Sequence, residues 1–286
     1  MGTFCDRIEP MKLLRFLVPA ILSVGLLGTL STLTAQQPAR KKRVLAIGAV
    51  AGFQHDSVSN GLATIYNLGK ESGLWDTYIR TDTQLISKKK NIAPNAKNLD
   101  YFDAVYFYTT GELPLSDDQK ADLLSFVHDD GKGFVGGHSA IDTFYKWPEY
   151  GEMTGAYFEN HPWNQFDAPI LVEDRTSPIT RHFPAAFTVK DEIYQPSQIF
   201  SREKLHVLMR LDPAKVDWAR AGVKRTDHDV AVAWIKTYGK GRVFYTTFGH
   251  REEIYERPDM RKMYTEAVKW ALGLTQSDTS PKPMPQ

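Results

Sequence analysis

Three histidines in this chain, His55, His138 and His250, each fall just after a short run of apolar residues. Imidazole titrates near neutral pH, so residues placed this way can act as general base, general acid or metal ligand. The setting of His138 is the most specific, Gly133-Phe134-Val135-Gly136-Gly137-His138-Ser139-Ala140. Small residues around one larger residue suit a strand-to-helix nucleophile turn, whose strained backbone exposes the apex side chain. The apex here is His138, so the chain presents an imidazole where a nucleophile could stand. A polar turn residue satisfied by a backbone carbonyl is the other reading. Ser139 lies one position past the apex and fits a serine nucleophile less well, since a triad is defined by geometry.

The remaining polar candidates are scattered. His55 belongs to Phe53-Gln54-His55-Asp56, a loop ahead of a predicted helix for which Asp56 or Ser57 would be the cap. His161 sits in Phe158-Glu159-Asn160-His161-Pro162-Trp163, too polar and aromatic for core, which reads as a binding loop or an ordinary surface loop. In Asp191-Glu192-Ile193-Tyr194, Glu192 is placed to be an acid, a base, a ligand or part of a capped turn. His128, His182 and His206 have nothing assembled around them and read as structural. His228, in Thr226-Asp227-His228-Asp229, suits a solvated turn as well as a site.

Zinc asks for three or four converging ligands. With no His-Glu-x-x-His helix or other local pair, a divalent metal such as zinc could be held only if His55, His138 and His250 converge from distant loops. A phosphate loop is absent: Gly48-Ala49-Val50-Ala51-Gly52 lacks the dinucleotide fingerprint and the P-loop lysine.

These residues need a frame, and the apolar pattern supplies one. Val44 to Ile47, Trp75 to Thr81, Ala104 to Tyr108 and Gly133 to Gly136 read as strands, the first as a strand buried on both faces. Ser57 to Ser72 has helical spacing with Gly73 as its stop. Ser116 to Asp130 opens with Ser116 and Gln119 in the pattern of a capping box. Alternating strands and helices predict βαβ units, an α/β fold with a mainly parallel sheet. Ligands bind such sheets beyond the C-terminal ends of the strands, where the histidines fall. Residues 144 to 170 read as loop with one short helix. Further strands are predicted at Ala168 to Val172, Phe187 to Val189, Val207 to Leu211, Val230 to Trp234 and Val243 to Thr247. The last two are joined by Tyr238-Gly239-Lys240-Gly241 as a hairpin. A helix from Pro258 to Leu272 closes the domain, and the Pro-rich residues 274–286 read as a disordered tail.

Met11 to Ala35 has a short basic region, an apolar core and small residues at its end, the layout of a cleaved secretory signal peptide, with Met11 the better start. Its apolar core is shorter than the about 20 residues of a bilayer span, so no stable membrane anchor is expected after processing, and the location is periplasmic or secreted. Residues 36–42 form a flexible lead-in to a domain over 43–273. The single cysteine, Cys5, precedes the cut, so the mature chain has no thiol nucleophile, disulfide or thiolate metal site. Acids and bases nearly balance, 34 against 35, which gives no electrostatic footprint for nucleic acid. A homo-oligomer is compatible with the sequence.

Taken together, Phe53 to Asp56, Gly133 to Ala140, Asp191 to Tyr194, and Trp234 through Tyr238-Gly239-Lys240-Gly241-Arg242 to Gly249-His250 resemble the ThuA-like, or trehalose utilisation, family. The resemblance covers roughly Arg43 to Gly273. It implies a class I glutamine amidotransferase-like fold, a flavodoxin-like three-layer sandwich, and a link to catabolism of trehalose and related disaccharides or their 3-keto derivatives. True amidotransferases keep a cysteine at the turn; here His138 replaces it, so glutamine hydrolysis does not carry over. The expectation is an enzyme acting on a small-molecule carbohydrate. His138, His250 and Glu192 would be its catalytic groups, with His55, His161, Tyr157, Trp163 and Tyr194 binding substrate. A non-catalytic carbohydrate-binding or accessory protein would use the same cleft.

Overall fold

The computed structural model describes residues 1–2, 40–90 and 97–285. The proposed signal segment therefore lies outside the described residues. The order is β1 (Lys42–Ile47), α1 (Val58–Ser72), β2 (Trp75–Arg80), β3 (Ala104–Phe107), α2 (Asp117–His128), β4 (Gly133–Gly137), α3 (Pro148–Thr154), β5 (Phe158–Asn160), β6 (Gln165–Val172), β7 (Ala186–Glu192), β8 (Gln195–Pro196), β9 (His206–Leu211), β10 (Ala231–Tyr238), β11 (Gly241–Thr246) and α4 (Pro258–Ala271). Nine strands form one sheet in the order β2-β1-β3-β4-β11-β10-β9-β6-β7. The first five are mutually parallel; from β11 onward each neighbour is antiparallel. The expected hairpin is β10–β11, and it forms the seam between the two halves. β5 and β8 make a separate small pair that the sequence pattern did not predict.

Strand side chains alternate between faces, and the core divides accordingly. On one face Val44 and Ala46 pack with Leu62, Ile65 and Leu68 of α1 and with Met263, Ala267 and Trp270 of α4. On the other, Leu45 and Ile47 pack with Phe126 and Val127 of α2 and Tyr150 and Met153 of α3. This is the three-layer α/β sandwich that the sequence predicts. α1 stops at Gly73, whose φ of 69° suits a residue without Cβ. α2 starts at the predicted capping box: Gln119 N donates to Ser116 Oγ, and Ser116 N donates to Gln119 Oε1. Ser57, by contrast, does not cap α1. Its hydroxyl donates to Gly249 O at 2.7 Å and lies 2.5 Å from Tyr108 Oη, tying the helix start to the loop after β11. Asp56 is exposed and forms no cap.

The C-terminal segment makes hydrogen bonds to the body of the domain. Ser277 Oγ donates to Ser177 Oγ, His206 Nδ1 donates to Ser280 O at 2.7 Å, and Lys282 N donates to Leu205 O. Prolines forbid a helix here but not an extended segment, and the start of β9 supplies partners for it. His206, expected to be structural, is so: its Nε2 lies 2.9 Å from Asp174 Oδ2. His128 and His182 also lie outside the site, the first beside Asp129 and the second against Asp259 O. His228 stacks on Trp218.

Asp174 also accepts from Thr176 N, Thr176 Oγ1 and Ser177 N. Burial alone would raise its pKa, but these bonds outweigh it and hold the carboxyl down at about 2. A depressed carboxyl contributes stability above its unfolded pKa that is lost as pH falls through the folded one. Acidification from about pH 4 to pH 2 should therefore remove about 2 kcal/mol through this residue. Denaturant melts of the wild type and Asp174→Asn across that range should differ at pH 5 and converge at pH 2. Parallel curves would show that Asp174 contributes no such term.

Candidate active site

β4 ends in Gly136 and Gly137 because nothing larger fits: a Cβ on Gly137 would stand 2.6 Å from Tyr106 Oη. The chain then turns into a 3-10 segment, His138–Ile141, with His138 at φ 39°. A non-glycine residue held at positive φ is strained, as the elbow reading requires. His138 is fully buried. Its Nδ1 lies 2.6 Å from Thr247 O, and a carbonyl only accepts, so the proton is on Nδ1 and the lone pair on Nε2. That Nε2 has no hydrogen-bond partner, and neither do Nδ1 of His55 and Nδ1 of His250.

The three rings meet. Ring centroids are 4.7 Å apart for His55–His138, 5.1 Å for His55–His250 and 5.3 Å for His138–His250. Glu192, at the end of β7, completes the group: its Oε2 lies 3.7 Å from His138 Nε2 and 3.1 Å from His250 Nδ1. The 3.1 Å approach lacks hydrogen-bond alignment, since that nitrogen stays unpartnered. One ligand-type atom from each of the four residues lies within 4.8 Å of the others, so the group could hold a metal ion. Tetrahedral zinc, with ligands about 2.0–2.1 Å away, places them roughly 3.4 Å apart. The two distances to Glu192 bracket that spacing. Buried imidazole nitrogens without partners are costly, and a cation is the species that several converging lone pairs satisfy together. The donor set therefore fits a divalent ion.

For His55 and His138 charge supports the same role. Burial first, then the neighbouring histidines, push His138 well below the usual imidazole range and His55 down to about 4, which leaves both neutral and able to ligate at pH 7. For His250 burial acts in the same direction, but Glu192 and Asp191 outweigh it and raise the pKa. Asp191 is also the residue that places His250. Wholly buried, it accepts from Gly249 N at 2.7 Å and from Arg251 N at 3.0 Å, gripping the backbone on both sides. Gly249, at φ 129°, makes the bend that allows it. Burial pushes the Asp191 carboxyl up to about 7 even though those N–H groups favour its charged form.

The other predicted residues fare unequally. His161, 41% exposed, lies at the mouth with Nδ1 3.5 Å from Glu192 Oε1. Tyr194 lies in the site, its ring 4.3 Å from that of His138 and its hydroxyl 3.3 Å from His55 Nε2, but it is buried and forms a wall. Trp163 does not join them: it is buried beside Phe166 and Trp218, donating Nε1–H to Asp217 O. Tyr157 spends its hydroxyl on Trp147 O and Gly151 N, buttressing α3. Both were expected as sugar platforms because aromatic loops suggest binding; here the rings satisfy the packing of their own loops. Ser139 Oγ is buried without a partner, so no base activates it among the described residues. Sequence reasoning missed Asp191, the Asp142–Tyr145 pair at 2.5 Å, and Phe53, whose ring lies 4.8 Å from that of His55. Asp191 and Phe53 sit inside motifs the sequence singles out, which was the available signal.

Fold and elbow define an amidotransferase-like α/β protein with an imidazole in place of the thiol. A family model, ThuA, described as trehalose utilisation, matches residues 43–271, and the chain belongs to that family. Two solved structures of putative ThuA-like proteins are similar. The one from Bacteroides uniformis is 18% identical with a TM-score of 0.67, covering 83% of this chain and 94% of that one. The one from Parabacteroides merdae is 15% identical with a TM-score of 0.63, covering 85% and 98%. No curated protein matches in sequence.

Residues that orient a ligand typically change metal affinity about 10–100-fold when altered. Asp191→Asn keeps one acceptor oxygen where two are used, and should weaken zinc binding by about that factor in a calorimetric titration. Unchanged affinity in a folded variant would remove Asp191 from this role.

Proposed function

We propose that this chain is an exported enzyme of carbohydrate catabolism, acting on a disaccharide or keto-glycoside at the His55–His138–Glu192–His250 centre with a divalent ion such as zinc. The observation that carries the reading is the convergence of these four side chains, three of them with an unpartnered buried nitrogen. The family description, trehalose utilisation, supports the substrate class, and the Met11 to Ala35 pattern supports export. A divalent ion in such a site supplies Lewis-acid polarisation of a bound oxygen.

The chain's own groups do the rest. Thr247 O keeps the His138 lone pair aimed inward. Glu192 turns one oxygen to the centre and the other toward His161, a half-exposed imidazole. Tyr194 closes one wall against water. No thioester step is available, because the elbow carries His138 and the only cysteine is Cys5.

Purified protein should contain close to one equivalent of a divalent metal. A screen of trehalose, related disaccharides and their 3-keto forms should give turnover that a chelator abolishes. His138→Ala and Glu192→Gln should each lower kcat about 100-fold or more, while Ser139→Ala should not. Saccharide binding with no turnover of any of these compounds would overturn the enzyme reading and leave a carbohydrate-binding protein.

A further inference from the structure

Beside the centre lies a cavity of about 240 Å³ that opens to the surface. It is lined by the buried His55, by Phe53 and Gln54, and by His250, Arg251 and Gln165. Phe53 is 65% exposed, and its ring centroid lies 4.8 Å from that of His55. It is nonetheless held in place: Thr110 Oγ1 donates to Phe53 O at 2.8 Å, and Ala51 N donates to Thr110 O at 2.8 Å. An exposed aromatic on an anchored backbone, beside amides, suits a ring with an apolar face and a hydroxylated edge. Arg251 is fixed too, with Nη1 donating to Gln165 Oε1 and Nη2 to Glu253 Oε1, which leaves the Gln165 amide N–H groups for a ligand.

The rim also carries charge. Asp56, Glu252 and Glu253 line the cavity against the one guanidinium of Arg251, which Glu253 already pairs. In the metal-free chain such a rim disfavours an anion and leaves a neutral polyol unaffected, whereas a divalent ion at the centre would draw an anion in. The volume sets the size: below the about 300–1,000 Å³ of pockets for drug-sized ligands, it takes one sugar ring and not two.

We propose that the cavity between Phe53 and Arg251 is a subsite for one uncharged, unphosphorylated pyranose ring, stacked on Phe53 and facing the imidazoles of His55 and His250. The inference rests on the saccharide reading above and adds which part of the cleft holds the ring and which sugars it refuses. The platform is then Phe53, and not Tyr157 or Trp163.

Calorimetric titration of the full chain with glucose, trehalose and glucose 6-phosphate, as purified and after chelation, tests it. The two neutral sugars should bind in both states, and after chelation the phosphate ester should bind at least about tenfold more weakly. Phe53→Ala, at an exposed position that does not threaten folding, should weaken the neutral sugars about tenfold and leave zinc affinity unchanged. Glu252→Gln with Glu253→Gln should narrow the gap between glucose and its phosphate. Neutral-sugar affinity untouched by Phe53→Ala, or a phosphate ester bound by the chelated chain as tightly as glucose, overturns the subsite. A chain that binds zinc but no saccharide loses this inference and keeps its metal centre. One that binds glucose through Phe53 but takes up no metal does the reverse.

Discussion

The carbonyl of Thr247 is the fixed point around which the centre is arranged. It holds the His138 ring through Nδ1, and the hydroxyl of the same residue accepts from Tyr194 N at 2.9 Å. One residue at the end of β11 thus orients an imidazole delivered by β4 and a phenol that follows β7. The pairing of Thr246 with Gly137 brings that carbonyl within reach. The close approach of Tyr106 Oη explains why the strand arriving there ends in glycine. A buried histidine held this way has one nitrogen spoken for and one left over. The left-over nitrogen lies 3.7 Å from Glu192 Oε2.

The two halves of the sheet make unequal contributions. The parallel half supplies the histidines from loops beyond its C-terminal ends, as open α/β sheets do. The antiparallel half supplies the carboxylates through the end of β7, which is last in the hydrogen-bonding order and yet lies against the loop after β11. Asp191 and Glu192 are adjacent in sequence and opposite in task. The first is buried to hold backbone, and the second turns its oxygens to three imidazoles.

Much of this was legible in the sequence because strong local signals stood behind it. Buried strands such as Val44 to Ile47 and the Ser116–Gln119 cap fixed the layers, and placing His55, His138 and His250 after strands put them on one edge. What was not legible depends on tertiary partners. Ser57 has the letters of a cap but is engaged by Tyr108 and Gly249, nearly 200 residues away for the latter. Trp163 has the letters of a binding loop but finds Trp218. The terminal prolines suggest disorder, and no spacing reveals that His206 would reach Ser280 O or Lys282 N reach Leu205 O. Glu192 was recognisable as a polar residue after a strand, but its distance to His138 is set by a strand crossing that no spacing reveals.

The β10–β11 hairpin has a consequence for how the molecule is built in time. Its turn closes a very short loop, whereas β1, β3 and β4 must find one another across much longer stretches of chain. Loop-closure entropy rises with the length enclosed, so local pairings form early and distant ones late. This local element sits at the middle of the nine strands, with the parallel half on one side and the antiparallel half on the other. Assembly that begins there spreads outward to both edges. The four residues of the centre are drawn from both halves, so the centre exists only in a chain where both halves are in place.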